Sequence, residues 1–173
     1  MPIIRKIKRH NYQIAIWNMI ETLEDLIKLS RNLDTSKFKN EKRKKEIICS
    51  RLLLNEFFPN ISITYNKYGA PEIENNHFVS ISHSYNLTAI ILSKKESGID
   101  IEKISSKPLR LSPKFILKNR HKYLSKEKAT IIWCCKEAIY KKHQKGNINF
   151  ITDIKINPFI LEDKGQIIAE FKN

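Results

Sequence analysis

The segment from Ser125 to Lys142 most restricts how this chain can fold. Its spacing predicts one long helix. At about 100° per residue, Ile131, Ile132, Cys134, Cys135, Ala138 and Ile139 fill most of the circumference. A helix apolar nearly all round must be largely buried by other elements. Glu137 and Lys141 nevertheless stand four apart at the edge of the apolar sector, with Trp133 one turn earlier. A simple Glu-to-Lys helix pair, contributing about 0.2–0.5 kcal/mol, accounts for those two and leaves Lys136 unexplained.

Around this helix the pattern alternates between strand and helix periods. Residues 12 to 19 predict a strand and residues 21 to 29 a helix. A second helix runs from about Lys42 to Phe58, stopped by Pro59. Short strands are expected at 61 to 65, 78 to 82 and 87 to 93, separated by turn signals at 66 to 71 and 75 to 76, and they read as an antiparallel sheet. Further strands are expected at 99 to 102, 150 to 156 and 166 to 171, with a polar stretch around 105 to 113. The fold class is α+β. With 173 residues and 41% hydrophobic content, the chain makes one domain or two small halves packed directly on each other.

Two places carry chemistry. Asp100 and Glu102 lie two apart in the strand expected at 99 to 102, so both carboxylates project from one face about 6–7 Å apart. Either lysines pair with them as surface ions, or a hard divalent cation relieves their repulsion. Ser82-His83-Ser84 invites a hydrolase reading, but neighbours in an extended segment point to opposite faces, so His83 is badly placed to take a proton from Ser82. A strand-end histidine with hydroxyls suits phosphate oxygens better; a turn or capping role is the alternative.

Lys and Arg number 32 against 18 Asp and Glu, a formal charge of +14. The densest run, Lys42 to Lys45, opens a helix whose next turns are apolar, which reads as a solvated helix start or as attraction for an acidic protein or a phosphate-rich ligand. A nucleic-acid-binding module has only the charge in its favour. Cys49, Cys134 and Cys135 form no disulfide framework or zinc pattern, and the first residues lack the layout of a secretory signal, so a reducing cytoplasm is expected. No apolar run approaches the roughly 20 residues of a membrane span.

Taken together, Ser82-His83-Ser84, Gly98-Ile99-Asp100-Ile101-Glu102 and Trp133-Cys134-Cys135-Lys136-Glu137-Ala138-Ile139-Tyr140-Lys141 resemble the 4'-phosphopantetheinyl transferases of the surfactin-synthetase-activating type. Weaker matches run from Arg43 through Leu54 and over Tyr68-Gly69-Ala70-Pro71, so the likeness covers roughly residues 38 to 156. It implies transfer of the phosphopantetheine arm of coenzyme A to a serine of an acidic acyl or peptidyl carrier protein, releasing adenosine 3',5'-bisphosphate. It also implies two similar α+β halves, 1–96 and 97–173, related by a pseudo-twofold axis in a monomer, with the coenzyme in the cleft between them. By the same resemblance Asp100, Glu102 and Glu137 bind Mg2+, Glu137 takes the serine proton, and Lys141 steadies the pyrophosphate. Arg43, Lys44, Arg51, Gly69, Ser82, His83, Lys136 and Lys141 are the implied coenzyme A contacts. Ala70 stands where the family usually has lysine, and residues 115 to 121 are basic where relatives often carry glutamate. An inactive relative that binds coenzyme A or a carrier protein without transfer is the alternative.

Overall fold

The computed structural model describes residues 3–31, 33–117 and 120–172. Its first half is built on a four-stranded antiparallel sheet in the order β1-β2-β6-β5. These strands are β1 (Ile3–Lys8), β2 (Tyr12–Asn18), β5 (Phe78–Ser84) and β6 (Leu87–Ser93). The six residues Thr88–Ser93 of β6 are all buried, as an interior strand covered on both faces requires. On β2, Ala15 and Trp17 alternate inward, pairing with Ile90 and Thr88 of β6. Helices α1 (Leu23–Leu29) and α2 (Glu41–Asn55) belong to this half. In α2, Ile48, Leu53 and Leu54 are fully buried and join Trp17, Leu26, Val79, Ile90 and Leu92 in one core. The hairpin β3 (Ile63–Tyr65) and β4 (Pro71–Ile73) forms a separate two-stranded sheet.

The second half holds α3 (Ser106–Leu111), a 3-10 turn at Ser112–Lys114, α4 (Lys126–His143), β7 (Ile154–Ile156) and β8 (Ala169–Phe171). Its smaller core centres on Phe115, Ile132, Ile154 and Ile156, with Trp133 packed edge-on to Phe115 at 5.0 Å. The mixed helix-and-sheet class follows the sequence. The two cores are unequal, with four strands in the first main sheet and two in the second.

Several expectations need correction. Residues 99 to 102 form no strand, because their amides bond to side chains rather than to a neighbouring backbone. The polar stretch 105 to 113 contains α3, started by Ser105, whose hydroxyl accepts from the Lys107 amide. β1 is not expected from the sequence, since Ile3, Ile4 and Ile7 do not alternate, nor is β4, which is only three residues long. Helix α2 ends at Asn55, ahead of Pro59. Strand β7 begins only at Ile154, after a turn at 150 to 153. Within α4 only Ala129, Thr130, Ile132 and Lys136 are buried, so the helix is covered on one side and forms a wall on the other. Lys118 and Asn119, inside the basic stretch noted above, lie outside the described residues.

Candidate active site

Helix α4 organises the site. Ser125 caps its start by accepting from the Lys128 amide at 3.1 Å, and Gln144 ends it in the left-handed region at φ 59°. Gly98 lies directly against its backbone. A Cβ built on Gly98 would stand 1.9 Å from the Ala138 carbonyl oxygen and 2.8 Å from the Lys142 nitrogen, so only glycine permits this approach. The contact delivers the two residues beyond it, Ile99 and Asp100, to the turn that carries Glu137 and Lys141.

Lys141 Nζ donates to Asp100 Oδ1 at 2.6 Å, and Ser82 Oγ donates to the same oxygen at 2.7 Å. The Asp100 side chain is only 6% exposed, and its Oδ2 is buried without a hydrogen-bond partner. Glu102 is exposed and accepts from Ser84 Oγ at 2.7 Å. Burial, then Asp100 and more weakly Glu102, push the Glu137 carboxyl above its ordinary range, with Lys141 opposing. Burial and the adjacent Asp100 also raise the Cys134 thiol, keeping it protonated and unreactive.

Beyond Lys141 opens a cleft of about 280 Å³ between the halves. Tyr140, Lys141 and Gln144 form one wall; Arg43, Glu46, Tyr65, Tyr68 and His83 form the other, with Gly69 and Ala70 at its edge. Arg43 Nη1 donates to Glu46 Oε2 at 3.1 Å and to His83 Nε2 at 2.7 Å. The latter contact makes Nε2 the acceptor of a neutral imidazole, consistent with a pKa lowered first by burial and then by Arg43, against the pull of Glu46. Asn66 ties the cleft together. Its Oδ1 accepts from the Tyr68 and Ala70 amides, and its Nδ2 donates to the Gln144 carbonyl oxygen at 3.3 Å.

The structure therefore brings Arg43, Gly69, His83 and Lys141 to one cleft and leaves other expected contacts outside it. Lys44 is half-buried on α2, away from the cleft lining. Arg51 donates to Ser50 Oγ and the Tyr65 hydroxyl, stacks over the Tyr65 ring at 5.6 Å, and faces the neighbouring groove. Ser82 is buried against Asp100, so its hydroxyl is already engaged. Lys136 corrects the expectation most sharply. It is 3% exposed, on the covered side of α4, and donates to the carbonyls of Phe150 and Ile154. The residues around the cleft that had no role assigned from the sequence are Glu46, Tyr65, Tyr68, Tyr140 and Asn66. The pairing of Ser82 and Ser84 with the two acids also had a signal, because Ser82-x-Ser84 shares the two-residue period of Asp100-x-Glu102.

The three carboxylates do not form a ready cation cage: among the described residues no group of three His, Cys, Asp or Glu side chains is gathered closely enough to hold a metal. Their chemistry still fits a hard cation. Asp100 offers a buried carboxylate oxygen without a hydrogen-bond partner, and burial, then the like-charged neighbours Asp100 and Glu102, raise the energy of a charge on Glu137.

With this geometry in view, comparison with known proteins is decisive for the second half. The family model described as the 4'-phosphopantetheinyl transferase superfamily matches residues 96–173. This segment belongs to that superfamily. The match spans Gly98, Asp100 and Lys141, which the structure brings together at α4, as well as Glu102 and Glu137. A curated relative, 4'-phosphopantetheinyl transferase gsp of Aneurinibacillus migulanus, is 28% identical over 131 residues, covering 70% of this chain and 53% of its own length. The chain thus spans about half the length of the curated relative it matches. No helix among the described residues is long and apolar enough to cross a membrane.

Proposed function

We propose that the protein transfers the 4'-phosphopantetheine arm of coenzyme A to a serine hydroxyl of an acyl or peptidyl carrier protein. The observation that carries this reading is the placement of Lys141, which lines the cleft while its ammonium pairs with Asp100. A cation there stands between the cleft of about 280 Å³ and the carboxylates of the superfamily segment. The serine oxygen forms a new bond to phosphorus of the pyrophosphate as the bond to the leaving phosphate breaks, releasing adenosine 3',5'-bisphosphate.

Glu137, with its raised proton affinity, accepts the serine proton. Lys141 stabilises charge on the departing phosphate. Arg43 and His83 grip a phosphate on the far wall, and Gly69, whose φ of 80° sets the hairpin turn, lets backbone approach the base. Asp100, Glu102 and Glu137 would hold Mg2+, which when bound neutralises charge on the pyrophosphate. The net charge of +14 favours encounter with an acidic carrier protein. In this reading the chain works in the cytoplasm as a monomer of two halves, 1–96 and 97–173, about a pseudo-twofold axis, a division supported by the two separate cores.

Incubation of an apo carrier with coenzyme A and Mg2+, followed by mass spectrometry, tests this directly. One added phosphopantetheine per carrier is expected, and Glu137→Gln should slow the transfer by about 10²–10⁴-fold. Unshifted masses with fatty-acid, polyketide and peptide carriers alike would overturn it. Ala70, in place of the usual lysine, favours a second reading as a coenzyme A-binding relative without turnover. Calorimetric binding of coenzyme A with no mass shift would select that reading.

A further inference from the structure

We propose that Ser82 and Ser84 are positioning residues which hold the carboxylates of Asp100 and Glu102 for a divalent cation, an inference that rests on the transferase reading. The segment 98 to 103 is in no regular strand, yet it is held in register with β5. Ser80, Ser82 and Ser84 share one face of β5 by its two-residue period. Their hydroxyls accept from alternate amides of the segment, at 3.2 Å from Ile99, 3.3 Å from Ile101 and 3.2 Å from Lys103.

A serine hydroxyl has one proton to give. Ser82 gives it to Asp100 and Ser84 to Glu102, each at 2.7 Å. The segment is therefore indexed to the strand at the alternate amides of Ile99, Ile101 and Lys103 and at the two carboxylates that lie between them. A slip of one residue would turn both acids to the opposite side. The donated protons also offset the repulsion between two nearby anions. At Asp100 they fasten Oδ1, together with Lys141, and leave Oδ2 buried without a hydrogen-bond partner. Ser80 is a natural control, since it accepts an amide and donates to no carboxylate of the segment.

Mn2+ alone, titrated into the full chain and counted by electron paramagnetic resonance, is the probe. Ser82→Ala and Ser84→Ala should weaken binding by about 10–100-fold, and Ser84→Thr, which keeps the hydroxyl, should restore it. Ser80→Ala should lower the urea midpoint with no change in Mn2+ affinity. Ser84 is partly exposed, so its variant reports even where Ser82→Ala fails to fold. Wild-type affinity in Ser84→Ala, equal weakening in Ser80→Ala, or no Mn2+ binding by the wild type would each overturn the proposal. Carriers that stay unmodified while Mn2+ binding follows the hydroxyls would sink the transferase reading alone. Transfer that proceeds with Mn2+ binding indifferent to them would sink this one alone.

Discussion

Lys136 and Lys141 sit five residues apart on α4, yet they live in different surroundings. Lys141 is partly exposed at the cleft and paired with a carboxylate. Lys136 is enclosed by the second core, and its ammonium meets only backbone carbonyls, so burial lowers its pKa to about 8. The same residue type thus works as an electrostatic group on one face and as a structural tie on the other. What separates them is the packing on each face: Gly98 and Asp100 on one, Phe150 and Ile154 on the other.

The most severe way to break this arrangement is Gly98→Ala. Its new methyl has nowhere to go against the α4 backbone, so the segment must shift by more than an ångström. We expect a loss of about 3 kcal/mol or more in urea unfolding and about 10²-fold in transfer rate, since misplacement on this scale carries both costs. Unchanged unfolding and transfer would show that the approach is not needed.

Lys136→Met tests the covered face. Two buried carbonyls lose their donor, and stability should fall by about 1–3 kcal/mol while the remaining folded protein keeps its transfer rate. The pH dependence has a definite sign. The folded pKa of about 8 lies below the usual 10.5, so the unfolded chain holds more protons between these values and stability rises with pH. The contribution is full above pH 10.5 and lost as pH falls through about 8. Urea midpoints at pH 7 and 9.5 should therefore show the gap between wild type and Lys136→Met widening by roughly 1–2 kcal/mol. A gap that narrows would contradict the buried ammonium.

The smallest stability change belongs to the cleft face. In chelator-containing buffer, Glu137→Gln removes a carboxylate that repels Asp100 and Glu102, and the urea midpoint should rise by a few tenths of a kcal/mol after solvent screening. A clear fall in midpoint would place Glu137 with Lys136 as a structural group.

Local pattern was enough for α4, whose limits follow from Ser125 and the apolar spacing, and for β6, whose bounds matched residue for residue. It also drew attention to Asp100, Glu102, Glu137 and Lys141 as charges set at regular spacing among apolar residues, of which the structure pairs Asp100 with Lys141. It failed at residues 99 to 102, where alternation predicts a strand but the partners are serine hydroxyls 19 positions earlier. It failed again at Lys136 and Ser82, where residue type is visible in the sequence and surroundings are not.

The sequence by itself determined which residues repeat with a helix or strand period and which charges interrupt that repeat, since both are properties of neighbours along the chain. Only the tertiary structure decided that Lys136 faces backbone carbonyls, that Ser82 is engaged by Asp100, and that Arg43, His83 and Lys141 line one cleft. Those outcomes depend on contacts between residues far apart in sequence, and packing rather than local period selects the face on which each side chain ends.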